Sequence, residues 1–290
     1  MAASLRASRL GLSVYAAPAV SFTLLLIAAP FFYTVWLSLQ HVELGGANRF
    51  AGLANYRQML ADPEFWNGLR VSLVLYAASL AMQLVGGTWL ALLLFRAKRM
   101  PGLLRSLLIS PFMLPPVVAG MMFLVILDPS LGAANWLLTS AGLPASDWLA
   151  SPLLVMPTLA LIDTWQWAPY VALIVLGGLQ SLPPSVYEAA QIDGAPPWRA
   201  FWRITFPLLL PTLATATILR SVDLLRFFDV IYITTQGGPG NASNTLNVYG
   251  FRVGFELFQF GYAAALAVTL TTIVLGAVLL LNRARAAVDW

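Results

Sequence analysis

The sequence predicts an all-α integral membrane protein with six transmembrane helices, both termini in the cytoplasm, and a helical segment projecting into the cytoplasm between the fourth and fifth. Three observations lead there. The 290 residues are 59% hydrophobic and only 10% charged, with a mean hydropathy of +0.79, against about 25% charged residues in an ordinary soluble domain. Six apolar stretches reach the roughly 20 residues that a helix needs to cross a bilayer core. Basic residues are spread unevenly over the segments between them.

The first span, 12–39, follows Arg6 and Arg9. Its apolar run exceeds the roughly 7–15 residues of a signal-peptide core, so it reads as a retained span. The segment 49–70 mixes aromatic, apolar and charged residues, which predicts a short helix at the headgroup level. The second span, 70–95, runs into Arg96, Lys98, Arg99 and Arg105, and the third follows over 104–127. The connection 128–152 carries Trp136 and Trp148 as interfacial anchors. The fourth span, 152–179, contains Pro169 and ends before Pro183-Pro184; the fifth and sixth cover 205–232 and 259–281.

Orientation follows from charge. With the N-terminus inside, the inner segments hold Arg6, Arg9, Arg96, Lys98, Arg99, Arg105, Arg199, Arg203, Arg283 and Arg285. The outer segments hold Arg49, Arg57 and Arg252 among the acids Glu43, Asp62, Glu64, Asp128, Asp147 and Glu256. This is the positive-inside pattern, and it puts the C-terminus inside as well. It also accounts for the net charge of +4, because scattered loop cations do not form a nucleic-acid patch. No loop is long enough for a separate soluble domain, so residues 1–290 read as a single transmembrane domain. The chain has no cysteine and one histidine, His41. It therefore offers no thiolate chemistry and no His/Cys metal cluster, and no GxxxxGK[ST] phosphate loop.

The segment 183–207 sits between two apolar spans and is dense in charge and proline. Pro183 and Pro184 end the fourth span and start a helix of about two turns. Asp193-Gly194 then forces a turn, and Pro196-Pro197 begin the next helix. The product is a rigid knob whose small Ala189 and Ala190 keep one face low while Glu188 and Asp193 present acids. On these residues alone, a partner-binding knob and a solvated interfacial helix both remain open.

The stretch "EAAQIDGAPPWRAFWRITFP", 188–207, resembles the EAA loop of permease subunits in binding-protein-dependent ABC importers. That loop reads Glu-Ala-Ala, three residues, Gly, nine residues, Ile, one residue, Leu-Pro. Glu188, Ala189, Ala190, Gly194, Ile204 and Pro207 fall in register, with Phe206 in place of leucine. The Asp193-Gly194-Ala195 triplet and Pro211 are similar to the carbohydrate-uptake branch. So are "FAGLANY", "SPFMLPPVVAG", "DTWQWAPYVALIVLGGLQSLPPSVYEAA" and "FFDVIYITTQGGPGNAS", which look like the maltose-type first permease along nearly the whole chain. The doubled proline at 196–197 is a departure.

The resemblance implies that 183–207 is a coupling loop that docks in a cytoplasmic ATPase, with Glu188, Ala189, Ala190, Asp193, Gly194, Ala195, Ile204 and Pro207 as its residues. It implies a bacterial inner-membrane, multi-pass subunit that is not itself an enzyme. ATP and magnesium would sit on the partner, and this chain would bind no cofactor. The implied partners are a second permease, an ATPase dimer and an extracytoplasmic substrate-binding protein, besides membrane lipid.

Charged residues inside the apolar spans mark the remaining chemistry, since charge there normally faces a cavity or a partner. The fifth span carries Arg220, Asp223, Arg226 and Asp229, and helical spacing groups Arg220, Asp223 and Phe227 on one face. The fourth adds Asp163, Gln166 and Tyr170, with Trp165 and Trp167 alongside. Two readings stand: these groups line a substrate path, in which flat aromatic faces and paired polar groups suit a sugar, or the charges neutralise one another while packing. The expectation is an importer subunit for a sugar, oligosaccharide or polyol. The alternatives are an ABC permease for an anionic non-sugar solute and a secondary transporter or channel working alone.

Overall fold

Pro63 opens the longest interior helix, α3 (Pro63–Arg96), with Glu64 in its first turn and Arg96 in its last, charges that complement the helix dipole at both ends. Its buried positions are Phe65, Gly68, Val71, Ser72, Leu75, Ser79, Gln83, Gly87, Ala91 and Leu94; all but Val71 follow one another at steps of three or four residues and so form one continuous stripe. The computed structural model describes residues 2–42, 45–46, 48–97 and 102–286, with side chains from residue 17 onward except that of Arg105. Of the charges used for orientation, Arg6, Arg9, Glu43, Lys98, Arg99 and Arg105 lie outside the described side chains.

The chain divides into two units. The smaller comprises residues 1–62 and 250–269 and contains α1 (Ala2–Ser38), a two-residue hairpin pairing of β1 (Gln40–His41) with β2 (Arg49–Phe50), and α2 (Ala54–Ala61). Asn55 ties the hairpin to α1 by donating to the carbonyls of Ser38 and Gln40 at 2.8 and 2.9 Å. α2 is the short helix expected within 49–70. This unit also holds a π-helical turn, Arg252–Glu256, and the first part of α13 (Phe260–Ala286).

The larger unit, residues 63–249 and 270–290, is built on α3. After it come α4 (Gly102–Ile109), a 3-10 turn (Ser110–Met113), α5 (Pro116–Ile126) and α6 (Ala133–Ser140). Then follow α7 (Val155–Ser181), α8 (Pro184–Ile192), α9 (Pro197–Ala200), a π-helical turn (Phe201–Thr205), α10 (Phe206–Leu224), α11 (Asp229–Thr234) and, up to residue 249, α12 (Leu246–Phe251). α3 packs along α7, close enough that a Cβ at Gly87 would lie 2.7 Å from Val171. Two apolar clusters form around α7. One gathers Leu75, Leu159, Ile162 and Ile231; the other gathers Ala91, Val171, Val175, Leu179, Leu209 and Ala216. Between them α7 carries Asp163, Gln166 and Trp167.

Among the described residues five helices are long and apolar enough to cross a membrane: 17–38, Pro63–Arg96, Val155–Ser181, Pro197–Leu224 and Phe260–Ala286. Gly102–Met113 and Pro116–Ile126, bent by 101°, make a sixth if they are one span. Two differences from the sequence-based spans have local causes. The third is broken at Leu114 and Pro115, where the chain turns extended and Pro115 supplies no N–H. The fifth starts at Pro197 and ends at Leu224 rather than 232, because Phe228 (φ −137°, ψ −58°) interrupts it and α11 begins afresh. After α5, Asp128 closes the loop by accepting from the N–H groups of Ser130 and Leu131 at 2.9 and 2.8 Å. Those two bonds hold its carboxyl below the usual range.

Candidate functional site

Arg220 on α10 is buried, at 1% exposure, between groups from three helices. Its Nε donates to Gln83 Oε1 of α3 at 2.8 Å, and its terminal nitrogens lie 3.5 Å from Asp163 Oδ2 and 3.2 Å from Asp223 Oδ2. Gln83 Nε2 in turn donates to Asp163 Oδ2. The indole of Trp167 covers the guanidinium with its centroid 4.2 Å from Cζ, a favourable cation–π placement in a desolvated setting. One guanidinium thus meets two carboxylates, an amide and an aromatic face. This is the pairing a charge needs to persist inside an apolar bundle.

The cluster forms one wall of a cavity of about 410 Å³, lined by Asp163, Trp167, Arg220, Asp223, Arg226, Phe227, Phe228, Asp229, Asn247 and Pro116. Burial differs sharply across it. Arg220 and Asp163 are withdrawn at 1% side-chain exposure, while Asp223 is 49% exposed and Arg226 and Asp229 are exposed. Asn247 donates to the Arg226 carbonyl at 2.9 Å, bringing α12 to the rim. The accessible lining therefore offers two carboxylates, one guanidinium, one amide and aromatic faces. Such a set binds hydroxyl-bearing molecules through hydrogen bonds and stacking.

Of the predicted path residues, Asp163, Arg220, Asp223, Arg226, Phe227 and Asp229 meet at this cavity. Three others do not. Trp165 packs edge-on against Phe123 at 5.2 Å; Tyr170 stacks on Phe112 at 5.1 Å; Gln166 donates to the Leu114 carbonyl at 2.7 Å, serving the break before α5. Arg226, Phe227 and Asp229, expected on the fifth span, instead lie in the turn after α10 and at the start of α11. Gln83 and Asn247 are contributions the sequence reading missed. A lone glutamine inside an apolar span was a signal for the first; nothing local marked the second.

The second predicted site, 183–207, takes the helix, turn, helix form expected of it. Pro183 precedes α8, Gly194 sits at φ +66°, a conformation that glycine adopts without steric cost, and Pro196 precedes α9. Glu188, Ala189, Asp193 and Gly194 are exposed, whereas Ala190 faces inward and Ala195, Ile204 and Pro207 are half-buried. At 86% exposure, Ile192 is the most exposed large apolar group on this knob, ahead of Trp198 and Trp202. A single isoleucine beside a turn gave no warning of that. Tyr187 Oη and Thr205 Oγ1, 3.1 Å apart, fasten α8 to the base of the fifth span.

Residues 83–287 match the sequence family described as the inner membrane component of binding-protein-dependent transport systems. The chain belongs to that family. It is a multi-pass inner-membrane permease component, and ATP hydrolysis lies on a separate subunit of such importers. The permease is 33% identical over 259 residues to the trehalose/maltose transport system permease protein MalF of Thermococcus litoralis, covering 89% of this chain and 88% of that one. It is 35% identical over 260 residues to the sulfoquinovosyl glycerol transport system permease protein SmoG of Agrobacterium fabrum, covering 88% and 83%. Its fold matches a chain in the crystal structure of a bacterial ABC transporter involved in import of the acidic polysaccharide alginate, with TM-score 0.83, 21% identity and 99% of both chains covered.

Proposed function

We propose that the permease forms half of a translocation path for a neutral polyhydroxylated solute, a sugar, oligosaccharide or polyol, with the cavity beside Arg220 as its solute-contacting surface. The observation that carries this reading is the division of labour in the cavity: the guanidinium of Arg220 is engaged by Asp163, Gln83 and Asp223, leaving the half-exposed carboxylate of Asp223 and the rim amide of Asn247 to meet the solute. Relatives named for trehalose/maltose, sulfoquinovosyl glycerol and trehalose transport support a sugar. An anionic solute, as in the name of an sn-glycerol-3-phosphate relative, would meet Arg226 as the one accessible guanidinium of this lining but also the exposed carboxylates of Asp223 and Asp229, which oppose it.

On the same reading, residues 1–290 act as a single transmembrane domain with both termini and 183–207 in the cytoplasm. The permease pairs with a second permease, an ATPase dimer carrying ATP and magnesium, and an extracytoplasmic binding protein; this chain itself holds no cofactor. Glu188, Asp193 and Ile192 then form the exposed face that enters the ATPase. The test is solute-stimulated ATPase activity of the assembled complex across neutral sugars, polyols, sugar acids and sugar phosphates. Stimulation by neutral sugars that Asp223→Asn shifts among them supports the proposal. Stimulation by sugar phosphates alone overturns it.

A further inference from the structure

Two cavities lie side by side at the end of α3 that carries Arg96. The first, about 440 Å³, is lined by Leu84, Val85, Trp89, Leu92, Trp202 and Leu213 among others, and Thr88 is its one polar side chain. The second, about 260 Å³, is lined by Arg96, Tyr187, Gln191 and Thr205 together with small and apolar groups. Leu92 and Phe201 belong to the walls of both. The two adjoin across Leu92 and Phe201, and together they offer a slot that is hydrocarbon-like over the first cavity and polar at the Arg96 end of the second.

The walls explain the shape. On α3, Val85, Trp89, Leu92 and Arg96 follow at steps of three or four residues, so one stripe of the helix runs from apolar groups to a guanidinium. On the facing side the π-helical turn Phe201–Thr205 swings Trp202 outward, at 57% exposure, with Trp89 opposite at 64%. Arg199 lies less than a turn before Trp202, exposed and stacked on Trp198 at 5.6 Å. In a soluble protein such a slot would be an aggregation hazard. In a membrane its match is an amphiphile lying parallel to the helices, and the charge at its polar end selects a negative headgroup.

We propose that this slot is a binding site for an anionic membrane phospholipid, with one acyl chain along Val85, Trp89, Leu92 and Trp202 and its phosphate held by Arg96 beside Tyr187 and Gln191. The site touches the coupling segment through Tyr187, Gln191 and Ala195. Its occupancy therefore stiffens the base of that segment, and lipid charge becomes a control on the permease.

The test uses the assembled transporter, purified from vesicles of equal parts phosphatidylglycerol and phosphatidylcholine, with retained lipid counted by native mass spectrometry. Wild type is expected to retain phosphatidylglycerol in preference. Arg96→Gln, an exposed change whose structural cost is limited to the lost charge at the end of α3, is expected to cut that preference roughly fivefold, the scale of one arginine near a charged surface. Leu92→Trp, which fills the slot from the wall common to both cavities, is expected to remove retained phosphatidylglycerol altogether. Equal retention of the two lipids by wild type, or an unchanged preference in Arg96→Gln, overturns the proposal. So does a disulfide between cysteines placed at Val85 and in a span of the second permease, which would make the slot a subunit seam.

Discussion

The surroundings of Arg220 and the turn at Gly194 are two polar places in a mostly apolar chain, and they are built on opposite principles. Around Arg220, the buried groups Gln83, Asp163 and Arg220 from α3, α7 and α10 engage one another behind the cavity wall, and each depends on the others. Around Gly194 nothing lies within 4 Å of where a Cβ would stand, and the local chain sets its own shape with prolines and a left-handed glycine. The first region is held by contacts distant in sequence, the second by residues adjacent in it. A substitution in the first should be felt as lost stability, and one in the second as lost partnership with the fold intact.

The sharpest way to break this comparison is Arg220→Met. It strands the buried carboxylate of Asp163 and is expected to cost about 3–5 kcal/mol, read as a fall in thermal stability of the purified complex. Adding Asp163→Leu should recover most of the loss; a double variant no better than the single would show that the charges are not a structural pair. Next comes Gly87→Ala, whose new methyl meets Val171 at 2.7 Å and should cost about 1–3 kcal/mol by overpacking, measured the same way.

Gly194→Val tests the other region. Its Cβ meets no neighbour, so the cost is the left-handed backbone alone, about 1–2 kcal/mol. The expected result is a subunit that melts near the wild-type temperature yet co-purifies with less ATPase and transports poorly. Normal transport by this variant would remove the coupling role of 183–207. The smallest stability effect belongs to Asp223→Asn, which weakens a half-exposed pair worth less than about 1 kcal/mol. It should leave melting unchanged while altering solute-stimulated ATPase activity, and a large drop in stability would move Asp223 from the solute surface into the structural cluster.

The same contrast explains what could be read from the sequence. The turn at 193–194 and the helices on either side of it were legible because proline and glycine act locally. The apolar spans were legible because length and composition define them. The Arg220 cluster was half legible: Arg220 and Asp223 are neighbours on one helix, but the partnership with Gln83 and Asp163 depends on which faces of three helices meet. Helical spacing on α7 grouped Asp163, Gln166 and Tyr170, yet of these only Asp163 lines the cavity: Gln166 serves the break before α5, and Tyr170 lies about 10 Å further along the helix. The end of α10 at Leu224 was invisible, since no proline or glycine marks it.

The carbonyl of Leu114 has a consequence for how the spans hold together. At the break before α5 this oxygen has lost its helical donor, and the amide of Gln166, fifty-two residues later, takes that donor's place. Hydrocarbon supplies no substitute partner for a bare carbonyl. The bent third span therefore depends on the fourth for one of its backbone bonds, and its final form is complete only with the fourth span beside it.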